Sequence, residues 1–235
     1  MYRERRAPIA GTVLWTSTVP ADTVATRVLP DGCLDLLWSS RSGLLVAGPD
    51  RTAYLSVSGP GERWVGLRLP PGTGPAVLGV PADELRDRRV PLADLWGDRA
   101  TAELAERADR APGEALTAVA LTRLRAAGGV DPLGVRVAGR LAAGATVATT
   151  AAEVGLDPRV LHRRCLALFG YGPKTLARIL RMRRALALAR TGTPLAEVAA
   201  RSGYADQAHL TRDVRALAGV PPTVLLRPAQ SGSGA

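Results

Sequence analysis

The chain has 235 residues, 46% of them apolar, enough for two domains with buried cores. Its formal charge is +10, and no run of about twenty apolar residues occurs, which excludes a membrane-spanning helix. Cys33 and Cys165 each lack a CxxC partner, which argues against a disulfide framework or a four-cysteine zinc site.

The first ten residues are basic, but the apolar stretch behind them is broken by Pro8 and Gly11. That is a poor secretion signal, so the expected compartment is the cytoplasm. Short strands are predicted at 11–18, 33–39, 43–47, 53–58 and 64–69, punctuated by Pro30-Asp31-Gly32 and Gly59-Pro60-Gly61. Between 33 and 38, Cys33, Asp35 and Leu37 share one face of the strand while Leu34, Leu36 and Trp38 share the other. Five such strands suggest a small antiparallel sandwich or barrel. Trp15, Trp38, Trp64 and Tyr54 either fill its core or line an effector pocket with Asp35 or Arg68 as polar anchors. For any one of them the core reading is preferred. Cys33 likewise reads as a structural thiol before a redox sensor.

Helices follow. Residues 91–96 form a short turn of helix, Asp98 caps 99–110, and Pro112 opens 113–127. Gly128-Gly129-Val130-Asp131-Pro132 then breaks the pattern, and the charge changes at the same place. From Pro132 onward there are 15 Arg and Lys against 5 Asp and Glu, so the whole basic excess lies there. A basic half is the footprint of a polyanion partner. Only Lys174 is a lysine, a bias that fits a GC-rich genome, so the arginine count alone carries little weight. The expected class is α+β. Residues 1–128 are expected to form a small antiparallel β domain with a helical pair, 129–230 an all-α domain, and 231–235 a flexible tail. Helices are expected at 132–142, 147–154, 158–169, 173–190, 195–201, 206–218 and 222–226.

This helical half repeats internally. Ala151, Ala152, Gly155 and Leu156 recur 48 residues later as Ala199, Ala200, Gly203 and Tyr204. Leu161, Gly170, Pro173 and Leu176 recur 49 residues later as Leu210, Gly219, Pro222 and Leu225. One residue has therefore been added in the turn. Each copy reads helix, glycine turn, helix, the plan of a helix-turn-helix whose second helix enters a major groove. The two units span 147–169 and 195–218. In the first, Leu161, Cys165 and Leu168 fall on the core face, leaving Arg159, His162, Arg163 and Leu166 outward. In the second, Leu210, Val214 and Leu217 are core; Gln207, Ala208, Thr211, Arg212 and Arg215 face out, with His209 flanking. Arg suits guanine, Gln suits adenine, and Ala meets a thymine methyl, so these residues are the expected contacts to duplex DNA. The connector 173–190 carries Arg178, Arg181, Arg183 and Arg184, for neighbouring helices or for phosphates.

These stretches resemble the AraC family. Leu156-Asp157-Pro158-Arg159-Val160-Leu161-His162-Arg163-Arg164 is similar to its first recognition helix. Ser202-Gly203-Tyr204-Ala205-Asp206-Gln207-Ala208-His209-Leu210-Thr211-Arg212 is similar to its second unit, and Gly219-Val220-Pro221-Pro222 to its C-terminal signature. The family's base-reading positions fall on Arg159, His162, Arg163, Gln207, Ala208, His209 and Arg212. Cys165 and Val214 depart from a usual Phe, and Ala218 from a common aromatic, which implies a repacked core. More loosely, Leu29-Pro30-Asp31-Gly32-Cys33-Leu34-Asp35-Leu36 and Val90-Pro91-Leu92-Ala93-Asp94-Leu95-Trp96-Gly97 resemble a domain of unknown role that precedes AraC-type units in actinobacterial proteins, which implies effector binding or dimerisation for residues 1–128.

The expected function is a sequence-specific transcription regulator. The alternative is an architectural DNA-binding protein without an effector. RNA polymerase and a small-molecule effector are candidate partners, and the chain acts as a monomer or homodimer. The only histidines, His162 and His209, lie in or beside the recognition helices, so neither a catalytic triad nor a histidine-metal site is expected in the first half, and no cofactor is implied.

Overall fold

The computed structural model describes residues 2–21 and 25–227. The tail expected at 231–235 lies outside them. Among the described residues the first half holds a six-stranded sheet, every pairing antiparallel, in the order β1-β2-β7-β4-β5-β8. Its strands are β1 (Tyr2–Arg6), β2 (Val13–Thr18), β4 (Leu34–Ser39), β5 (Gly43–Ala47), β7 (Arg63–Leu69) and β8 (Arg89–Pro91). A separate ribbon pairs β3 (Thr26–Val28) with β6 (Tyr54–Ser56). A single six-stranded sheet with a separate two-stranded ribbon thus stands where a sandwich or barrel is expected.

The pleat decides what each strand buries. Leu14, Leu34, Leu36, Trp38, Val46, Val65, Leu67 and Leu69 all point to one face and are buried. Against them pack α1 (Gly74–Leu78), α3 (Asp98–Arg110) and α4 (Pro112–Ala126) through Val77, Leu78, Leu104, Ala108, Leu116 and Ala120. Each buried Leu is worth about 1.5–3 kcal/mol relative to exposure, so this face holds the first half together. A short helix, α2 (Ala93–Trp96), closes the sheet edge beside β8. Asp98 is the first residue of α3 and not its cap: Gly97, at φ +81°, takes the cap position with no side-chain hydrogen bond.

The second half is helical: α5 (Pro132–Ala142), α6 (Val147–Val154), α7 (Pro158–Phe169), α8 (Pro173–Arg190), α9 (Leu195–Ser202), α10 (Gln207–Ala218) and α11 (Pro222–Leu225). The long α8 buries Leu176, Ile179, Met182, Ala185, Leu186 and Ala189. These residues join Leu161, Cys165 and Phe169 of α7 and Leu210, Val214 and Leu217 of α10 in one cluster. Cys165, Val214 and Ala218 are at most 1% exposed, so the small residues are packed over and leave no exposed gap. Among the described residues no helix is long and apolar enough to cross a membrane.

The two halves touch through the backs of α7 and α10. Arg86 donates to the Gly170 carbonyl at 2.9 Å, Arg27 donates to the Ala218 carbonyl at 2.9 Å, and the Ala53 amide donates to the Leu217 carbonyl at 2.7 Å. The last carbonyls of a helix have no partner within it, so these donors cap both helices from outside.

Candidate functional site

Two surfaces follow from this arrangement: the outer faces of α7 and α10, and a cavity on the second face of the sheet.

Each helix pair is built by the same local chemistry. Thr146 caps α6 by accepting from the Thr149 amide at 3.0 Å. Gly155 and Gly203 end α6 and α9 at φ +67° and +78°, a left-handed turn in which a side chain is disfavoured. In both copies the next amide reaches back to the first helix: Leu156 to the Ala151 carbonyl at 3.1 Å, Tyr204 to the Ala199 carbonyl at 2.9 Å. Asp157 then caps α7 through the Arg159 amide at 2.8 Å, and Asp206 caps α10 through the His209 amide at 2.6 Å. The additional turn residue is Ala205.

Arg159, His162, Arg163, Gln207, Ala208, Arg212 and Arg215 are exposed, and Thr211 is half-buried on the same side of α10. Among the described residues the guanidinium groups of Arg159, Arg163, Arg212 and Arg215 have no hydrogen-bond or ion-pair partner, unlike several arginines around them. Arg164 is 2.6 Å from Asp131. The His162 ring lies against Gly172, where an added Cβ would meet it at 2.4 Å. His209 folds back: the Ala205 amide points at its Nδ1, and its ring stands edge-on to Tyr204 with centroids 5.2 Å apart.

Three cations of α8, Arg178, Arg181 and Arg184, hold the scaffold. Arg178 and Arg181 both pair with Asp213 of α10, Arg181 at 3.1 Å, and Arg181 also lies 4.2 Å over the Tyr204 ring. Arg184 donates to the Leu141 and Ala142 carbonyls at the end of α5. Asp213 is 7% exposed and was not an expected site residue. Its signal in the sequence is an acid three residues after core-facing Leu210, across from an arginine run.

The second face of the sheet carries the alternate residues: Trp15, Asp35, Leu37, Leu45, Trp64 and Arg68. With the β3–β6 ribbon and α8 they enclose a cavity of about 710 Å³. Its floor is a cross-strand construction. Trp15 lies directly opposite Gly66, where an added Cβ would meet the indole at 2.2 Å. The indole therefore spans β7 and donates from Nε1 to Asp35 Oδ1 on β4 at 2.7 Å. Arg68 lies opposite Asp35 and sits 3.7 Å from both Asp31 and Asp35. Burial pushes the Asp35 carboxyl up to about 6, against the opposing pull of the Arg68 charge. Burial likewise raises the Cys33 thiol, so it is not an activated thiolate.

Asp35, Trp64 and Arg68 are thus brought together with Trp15 and Tyr54, but Trp38 is not among them. It has the opposite pleat parity to Asp35, is 5% exposed in the helix-covered core, and donates to Asp109 of α3 at 3.2 Å. The cavity lining also includes four arginines that the strand pattern does not single out: Arg27, Arg89, Arg183 and Arg190.

Residues 150–228 match the family model described as a helix-turn-helix domain, and residues 12–91 match a domain of unknown function. No curated protein matches the chain. The chain is similar to the crystal structure of ToxT from Vibrio cholerae O395, at 11% identity over 92% of this chain and 96% of that one, with a TM-score of 0.48. It is also similar to a probable AraC family transcriptional regulator from Rhodopseudomonas palustris CGA009, at 24% identity over 42% of this chain and all of that one, with a TM-score of 0.37. A third similar structure is the C-terminal domain of AraT, a response regulator from Geobacillus stearothermophilus, at 21% identity, 44% and 93% coverage and a TM-score of 0.39.

Proposed function

We propose that this chain is a DNA-binding transcription regulator of AraC type, whose two recognition helices, α7 and α10, read successive major grooves on one face of a duplex. One observation carries the reading: two capped helices in one rigid helical unit each present exposed, unpaired arginines, and the same unit matches the helix-turn-helix model. Arg159 and Arg163 are assigned to bases in one groove; Gln207, Ala208, Thr211, Arg212 and Arg215 serve the other. His162 and His209 are assigned to flanking contacts, since the His162 ring leans on Gly172 beyond the end of α7 and the His209 ring leans back on the turn before α10. The helical unit is taken as 129–230 and the controlling sheet domain as 1–128.

Such a protein releases counterions when it binds, so affinity falls steeply with salt, and specific DNA is favoured over random DNA. Fluorescence anisotropy of the purified chain on duplexes enriched by it and on scrambled duplexes, between 50 and 200 mM salt (about 10³–10⁵-fold weaker for 6–10 phosphate contacts), tests both points. A flat salt response, or equal affinity for both duplexes, contradicts the reading.

A further inference from the structure

We propose that the β3–β6 ribbon is a surface for self-association, in which the outer edge of β6 pairs antiparallel with β6 of a second copy of this chain, about a twofold axis through Ser56. The inference concerns a part of the molecule away from the recognition faces and does not depend on the regulator reading.

An open strand edge invites pairing unless something guards it. Among the described residues the two sheets leave four such edges: β1, β8, β3 and β6. Setting β1 antiparallel to its own copy about Glu4 places Glu4 on Glu4 and Arg3 on Arg5, like charge against like. β8 ends on Pro91, which has no N–H to give, and its Arg89 is paired with Asp50 at 2.6 Å. β3 has Arg27 at its centre, which self-pairing would set against itself and which already donates to the Ala218 carbonyl. β6 carries none of these guards. Tyr54-Leu55-Ser56 runs on into Val57 and Ser58 with no charge, no proline and no turn before Pro60. Outside the ribbon's own ladder, no backbone group from 54 to 58 has a hydrogen-bond partner among the described residues.

The unguarded strand also carries the apolar surface. Among the described residues seven large apolar side chains are exposed, and four of them, Val28, Tyr54, Leu55 and Val57, lie on the ribbon or directly after it. Leu55 is 51% exposed and Val57 78%. An axis through Ser56 sets Leu55 against Val57 of the second copy, and the reverse, so both are covered by one closed, self-complementary contact. An axis through Leu55 would instead set Val57 against Ala53, whose amide is already engaged by the Leu217 carbonyl at 2.7 Å. The edge is held in place before it pairs. Ala53 and Arg27 tie the ribbon to the end of α10, and the Arg89 guanidinium lies 4.0 Å over the Tyr54 ring. Little further ordering is therefore needed on association. A strand pair over 54–58 buries less than the about 1,200–2,000 Å² of a standard interface, so the dimer forms in a concentration-dependent way.

Sedimentation equilibrium of the full chain, without DNA, between about 1 and 200 µM reads the association directly. The mass is expected to rise with concentration from 24.6 kDa toward twice that value. Two variants that share one change fix both surface and register. Leu55→Glu with Val57→Glu faces acid with acid across the axis and is expected to raise the dimer Kd by about tenfold or more. Leu55→Glu with Val57→Lys faces acid with base at both pairs and is expected to bring the Kd back to within about threefold of the parent. Both variants change exposed side chains and are expected to keep the parent circular dichroism spectrum. A parent chain that stays monomeric throughout, a dimer untouched by the two glutamates, or a Glu-Lys variant as dissociated as the Glu-Glu variant overturns the proposal. Mass is the only readout, so failure of the regulator reading is registered separately, by loss of specific duplex binding.

Discussion

Asp213 shows how one buried side chain positions a helix. Its carboxylate faces both Arg178 and Arg181, tying α10 to α8, and Arg181 continues over Tyr204 to the turn that His209 closes. Removing the acid leaves two arginines facing each other without their counter-charge. Since both are partly exposed, the loss is smaller than for a fully buried pair, and Asp213→Ala is expected to cost about 1–3 kcal/mol in urea unfolding. Arg159→Ala, Arg163→Ala and Arg212→Ala are expected to leave stability within about 0.5 kcal/mol and to weaken specific DNA binding by about 1–3 kcal/mol. Equal losses on specific and random duplexes would reassign that residue to phosphate. Asp35 supplies a pH signature. Its folded pKa of about 6 lies above its ordinary value of 3.8, so the folded state holds the proton more tightly. That contribution is full below about pH 4 and is lost as pH rises through 6, up to about 3 kcal/mol with the charges of Arg68, Asp31 and Arg89 already included. Asp35→Asn keeps an acceptor for Trp15 and should flatten this fall in stability between pH 4 and 6; an unchanged slope would place the titration elsewhere.

At the level of elements, the paired units were legible because a 3.6-residue period and a glycine turn are both written in single residues. Leu161, Cys165 and Leu168, and Leu210, Val214 and Leu217, are all at most 8% exposed, as that period requires. The sheet was less legible. β1 is Tyr-Arg-Glu-Arg-Arg with every residue exposed, so it is held by its ladder to β2 and has no apolar alternation to betray it. β3, β6 and β8 have three residues each, too short for a period to be counted. The sandwich expectation failed because alternation reports that one face is buried without saying whether a sheet or helices bury it. Trp38 is the opposite case: its parity with Leu34 and Leu36 already separated it from Asp35. The construction around Gly66 needs pairing register as well as parity, and register is a long-range property that one strand does not contain. Gly66→Ala is expected to expel the Trp15 indole, break its hydrogen bond to Asp35 and cost about 1–3 kcal/mol, with a shifted tryptophan emission as its marker.

For the whole molecule, the sheet half does not merely hang from the helical half. Its Arg86, Arg27 and Ala53 cap the C-terminal ends of α7 and α10, so both helices are tied to the sheet half. The helical half nonetheless owns a continuous core around α8. A fragment from Val130 onward is therefore expected to fold and bind DNA with a lower melting temperature than the full chain; a folded fragment that does not bind would contradict the division of roles proposed here. The central claim is that two helices of one chain read two adjacent grooves. It is tested most directly by sequencing duplexes selected from a random pool by the parent chain, by Arg159→Ala with Arg163→Ala, and by Arg212→Ala. A motif of two elements about 10 base pairs apart is expected, one element blurred by the first variant and the other by the second. A single element, or a motif that both variants degrade in the same place, would contradict it.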